Sequence, residues 1–165
     1  MDYLTIFFPK MPFGGTIGLK YLPVILIFYL TRWISGIIAA SIIIIISIVM
    51  IPQIIVNPWQ YILDYVIPMF ACSLIVVFKI KVKKNKSLIL KTTIALTLIF
   101  TIIYFSHVIS GVLFFGMFAW KGYDVWIYSL IYNSGFIGIT YGIFLIIVPI
   151  LLKFLNQIKE KYDFH

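Results

Sequence analysis

The chain has 165 residues, of which 63% are hydrophobic and 11% charged, with a formal net charge of +8 and a mean hydropathy of +1.13. Soluble domains carry about 25% charged residues, so this chain has too few charges to cover a water-facing surface, and disorder is excluded by the high apolar content. What remains is a polytopic integral membrane protein, with room for at most six helices at about 20 residues per crossing.

In chain order, residues 3–8 are apolar but too short to cross a bilayer, and Pro9-Lys10-Met11-Pro12 followed by Gly14-Gly15 breaks any helix there. The N-terminus lacks the basic region of a signal peptide. An apolar segment runs over 19–30 and is closed by Thr31-Arg32-Trp33. An isoleucine-rich span follows over 34–51, ended by Pro52, with a loop to Pro58. A third span is predicted over 59–78, and a basic stretch over 79–91 separates it from a fourth over 88–116. Lys121-Gly122 marks a turn before a fifth span over 125–152 and a polar tail. Transmembrane strands need only about 9–11 residues and alternate in polarity. These runs are longer and do not alternate, and a helix satisfies all its own backbone groups in lipid. The expected fold class is therefore an all-α integral membrane protein: five full transmembrane helices plus a truncated N-terminal helix, in one domain over 1–165.

Lysine and arginine set the orientation. With the 79–91 loop in the cytoplasm, ten of the thirteen basic residues fall on the cytoplasmic side, leaving only Lys10, Lys20 and Lys121 outside. This is a positive-inside pattern, and it places the C-terminus in the cytoplasm of a cell-membrane protein. It also accounts for the net charge without nucleic acid, although the basic loop can meet anionic lipid headgroups as well.

In that topology the chemistry-bearing residues converge on the outer face. The third span opens Trp59-Gln60-Tyr61-Ile62-Leu63-Asp64-Tyr65. A carboxylate more than a turn inside a span is costly and normally faces a cavity or a partner. Asp64 therefore reads either as the counter-charge for a cationic ligand or as half of an internal pair. His107, Gly111 and Phe115 recur every four residues and share one helix face. They suit a flat ligand that accepts a hydrogen bond and a stacked ring, or else a close helix–helix contact. Trp59, Trp120 and Trp126 fit an interfacial belt, while aromatics beside a carboxylate also suit an organic cation. Tyr128 and Asn133 begin the fifth span, and an amide as deep as Asn133 needs a hydrogen-bond partner.

No phosphate-binding glycine loop, HExxH motif, acidic metal cluster or nucleophile–base spacing is visible. The lone Cys72 allows no internal disulfide. The expectation is a non-enzyme without a cofactor.

Three segments resemble the thiamine-binding substrate component (S component) of energy-coupling factor transporters: Asn57-Pro58-Trp59 through Tyr65, His107-Val-Ile-Ser-Gly111, and Phe118-Ala119-Trp120-Lys121-Gly122 with Tyr128 through Asn133. Phe8 to Gly15 is similar to that family's first outer loop. The resemblance implies a six-helix membrane fold with an outward-open vitamin pocket. It implies thiamine as ligand, and docking on a transmembrane coupling subunit with two ATPases. By matching position it assigns substrate binding to Asp64, Tyr65, His107, Gly111, Phe115, Tyr128 and Asn133. Three departures stand out. The first helix is nearly missing, Lys20 lies where relatives often carry an acid, and Phe115 replaces a frequent tryptophan. A relative that binds another small heteroaromatic, such as a thiamine precursor, and a non-binding membrane assembly subunit are the alternatives.

Overall fold

The computed structural model describes residues 17–50, 57–78 and 85–162. The expected N-terminal break, Pro52 and most of its loop, and the basic residues 79–84 lie outside these. Within them, all regular structure is helical. There are five helices: α1 (Tyr21–Leu30), α2 (Trp33–Met50), α3 (Pro58–Phe78), α4 (Asn85–Phe114) and α5 (Val125–Tyr162).

By length and apolar composition, α3, α4 and α5 can cross a membrane. The ten residues of α1 reach only about 15 Å at 1.5 Å per residue, roughly half the hydrocarbon thickness. Thr31 ends α1 by turning its own N–H and hydroxyl onto the Ile27 carbonyl, at 3.0 and 2.7 Å. The chain then folds straight back into α2. The turn is tight because Gly36 has no side chain: a Cβ there would fall 2.0 Å from the buried Phe28 ring.

α5 is ten residues longer than its predicted span, because Lys153 to Tyr162 continue the helix past the apolar run. Both α3 and α5 have clear starting signals. Asn57 caps α3, accepting the Trp59 N–H at 2.9 Å, with Pro58 in the first helical position. Asp124 accepts the Trp126 N–H at 2.8 Å and caps α5. Gly122 turns the connection with φ of +87°, which glycine adopts without penalty.

α4 packs along both α3 and α5, and α1 packs against α2 and the C-terminal part of α3. The core is a dry column of Ile25, Phe28, Met69, Leu96, Ile99 and Phe144, all at most 1% exposed. Outward-facing residues are equally apolar, among them Ile38, Ile42, Ile45, Ile146 and Ile150. In water such a surface would drive aggregation, whereas in lipid it is the solvated face. The exposed Trp59 and Trp126 fit the interfacial belt.

Candidate ligand site

The end of the bundle that carries the 115–124 connection gathers the polar side chains. α3 contributes the first of them through an unusual local geometry. After its first turn, the segment Ile62–Val66 is a π-helix. The N–H of Ile67 reaches the carbonyl of Ile62, five residues back, instead of the usual four. Such wide turns are rare and frequently occur at functional sites. Asp64 stands in the middle of this one.

Both oxygens of Asp64 are engaged. Oδ1 lies 3.2 Å from His107 Nδ1 on α4, and Oδ2 accepts a hydrogen bond from Gln60 Nε2 at 3.3 Å. The two side chains of the pair are only 13% (Asp64) and 15% (His107) exposed. A carboxylate has about four lone-pair sites, so two protein contacts leave it able to accept more. The Phe136 ring packs nearly perpendicular to the imidazole at 5.8 Å between centroids.

α5 joins through Asn133. Its Nδ2 donates to the Ser129 carbonyl at 2.8 Å, to Ser129 Oγ at 3.1 Å and to the His107 carbonyl at 3.4 Å. Ser129 Oγ in turn donates to the Val108 carbonyl at 2.8 Å. α4 is thus stitched to α5 at the residues that flank the imidazole. Gly111 permits this contact, since a Cβ on it would fall 2.2 Å from Ser129 Oγ and 3.4 Å from Asn133 Nδ2. The space beside Gly111 is filled by α5, so its geometry is that of a helix contact.

Of the residues singled out by sequence, Asp64, His107 and Asn133 form one connected chain, with Gly111 at its α5 junction. Tyr65 stacks on Tyr61 at 4.8 Å with an interplanar angle of 18°. The Lys20 ammonium stands over the Tyr65 ring, 4.6 Å from its centroid. Phe115, just past the end of α4, lies nearly parallel to Phe118 at 6.3 Å. Tyr128 is buried beneath the connection, with Trp120 edge-on at 5.1 Å and Tyr132 stacked at 5.7 Å. The rings therefore form separate groups around the polar chain. A groove of about 210 Å³ lined by Leu88, Ile89, Pro149, Ile150 and Lys153 lies near the opposite end of α4 and α5 and has no part in this site.

Sequence reasoning missed Gln60, Ser129 and Ser106. Ser106 Oγ donates to the Leu63 carbonyl at 2.6 Å, beside Asp64. The available signals were the spacing of Gln60 to Asp64, four residues and so one helix face, and Pro68 four residues after Asp64, where a helix must lose a donor. Among the described residues, no group of three or more His, Cys, Asp or Glu side chains could hold a metal.

Comparison with known proteins places the chain in a family. Residues 1–160 match the family model described as thiamine transporter protein. The chain is 31% identical over 159 residues to the thiamine transporter ThiT of Bacillus subtilis, covering 92% of this chain and 82% of that one. A second ThiT, from Lacticaseibacillus paracasei, is 40% identical over 60 residues, 36% of this chain and 30% of that protein. The fold matches a solved structure of ThiT from Listeria monocytogenes with a TM-score of 0.68 and 21% identity, over 92% of this chain and 84% of that one. The chain belongs to the thiamine transporter protein family.

Proposed function

We propose that this family member is the thiamine-binding S component of an energy-coupling factor transporter. It captures thiamine at the end of the bundle where Asp64, His107 and Asn133 meet. The observation that carries this reading is the largely buried Asp64 carboxylate, held in a π-turn and aimed at His107. A cationic thiazolium compensates that charge, and nearby aromatic faces add cation–π attraction for the same cation. The flat aminopyrimidine is matched by the ring groups of Tyr65, Phe115 and Tyr128. The amide of Asn133 offers its Oδ1, since every hydrogen bond it makes runs through Nδ2. Gly111 serves the site by letting α4 and α5 close on each other.

In this reading the whole chain acts as one multi-pass membrane domain with no catalytic role. The site faces outward, and the C-terminus and the 79–91 loop face the cytoplasm. A transmembrane coupling subunit and two ATPases supply the energy for release inward.

Thiamine titrated into purified protein is expected to quench tryptophan fluorescence saturably, through Trp120 packed on Tyr128. No binding at millimolar thiamine rejects the reading. Co-purification of two ATPases, with ATP-dependent uptake, tests the partnership.

One observation favours a second ligand within the same fold. The Lys20 cation already occupies the Tyr65 face, which suits a neutral heteroaromatic such as the pyrimidine fragment of thiamine. Competition between thiamine and that fragment decides between the two.

A further inference from the structure

We infer that Ser106 is a positioning residue for the carboxylate site: its hydroxyl replaces the backbone donor that Pro68 lacks and thereby holds the wide turn that aims Asp64 at His107. As far as ligand affinity is concerned, this rests on the function proposed above.

The register of α3 makes the argument. The Ile67 N–H bonds the Ile62 carbonyl, five residues back. The next step in that register would bring the nitrogen of residue 68 to the Leu63 carbonyl. Residue 68 is proline and has no N–H. Leu63 is half-buried and Pro68 buried, and a carbonyl left without a donor in such surroundings is costly. Ser106 Oγ supplies the bond, donating to Leu63 O at 2.6 Å.

This is not what a helical serine or threonine ordinarily does. Ser47, Thr97 and Thr140 all turn back onto the carbonyl four residues earlier in their own helices, at 2.8, 2.8 and 2.6 Å. Ser106 reaches across to another helix instead, as Ser129 of α5 does to Val108 of α4.

The consequence for the site is geometric. Consecutive residues of α4 grip consecutive residues of α3. Ser106 holds the Leu63 backbone and His107 holds the Asp64 side chain. α5 anchors the same stretch of α4 from behind, through Asn133 on the His107 carbonyl and Ser129 on the Val108 carbonyl. Without the Ser106 bond, the turn loses its backbone tie to α4, and the Asp64–His107 pair is left to join the two helices there.

The test uses full-length protein in detergent, with two readouts: the His107 ring ¹⁵N resonance at fixed pH, which needs no ligand, and the thiamine Kd by fluorescence. Ser106→Ala is expected to move the His107 resonance toward its position in Asp64→Asn and to weaken thiamine binding about tenfold. Ser106→Thr, which keeps the hydroxyl, should hold both near wild type. Pro68→Ala restores a backbone N–H, so adding Ser106→Ala to it should change either readout by no more than about twofold. The inference is overturned if Ser106→Ala leaves both readouts at wild type, if threonine is as damaging as alanine, or if the alanine effect is undiminished on the Pro68→Ala background. Should Ser106→Ala fail to fold, recovery of folded protein in the Pro68→Ala/Ser106→Ala pair supports the inference, and its failure overturns it. If the wild type ignores thiamine, the proposed function falls, while the His107 resonance still decides the role of Ser106.

Discussion

The Asp64 carboxylate and the His107 imidazole meet at 3.2 Å across the α3–α4 interface, each less than one-sixth exposed. The contact joins a charge that a membrane tolerates poorly to a polar ring on the neighbouring helix. It also joins the π-turn of α3 to the segment of α4 that α5 fixes through Asn133. A ligand that engages either side chain is therefore felt by three helices.

The first prediction concerns that pair. Hydrogen bonds to charged groups contribute about 1.5–3 kcal/mol, so Asp64→Asn should weaken thiamine binding by roughly 10- to 150-fold. His107→Gln should weaken it as well. The two losses should be less than additive in the double variant, because the residues act on one contact. Calorimetric titration of the four proteins closes the cycle. Full additivity would mean that the two side chains serve the ligand independently.

Gly111→Ala is expected to damage packing rather than recognition. The new methyl would fall 2.2 Å from Ser129 Oγ, and overpacking a helix contact costs about 1–3 kcal/mol. The thermal midpoint in detergent should drop by several degrees. Ser129→Ala removes the clashing oxygen, so the Gly111→Ala/Ser129→Ala protein should recover part of the loss. A variant that keeps its midpoint but loses ligand would instead put Gly111 in direct contact with the guest.

Lys20→Met removes a cation 4.6 Å from the Tyr65 ring. Near an exposed aromatic such a contact is worth about 0.5–1 kcal/mol, and a ligand cation would compete with it. Affinity for thiamine should rise a few-fold, while affinity for the neutral pyrimidine fragment should stay level or fall. Parallel titrations with both ligands measure the difference. A loss of thiamine affinity would show that the ammonium assists binding.

Phe115→Trp should strengthen stacking on a cationic or electron-poor ring, since tryptophan offers the best cation–π face. A two- to fivefold gain in thiamine affinity corresponds to about 0.4–1 kcal/mol. Phe115→Ala should lose at least as much. If neither change alters the titration, Phe115 belongs only to its pair with Phe118, 6.3 Å away with the rings inclined by 28°.

The membrane class and the placement of α3, α4 and α5 were legible in the sequence, because lipid imposes one simple requirement: a spanning run must be apolar, and its backbone must satisfy itself. Asp64, His107 and Asn133 were legible for the complementary reason, since polar groups inside such runs need partners. The partners themselves were not legible. That Asp64 meets His107, that Gly111 is filled by Ser129 and Asn133, and that Lys20 covers Tyr65 depend on how helices distant in sequence rotate and cross. Composition says nothing of rotation when every face of a helix is apolar. The π-turn at 62–66 was out of reach for a related reason. Pro68 marks a missing donor, but only the approach of Ser106 from α4 makes the wider register the stable answer.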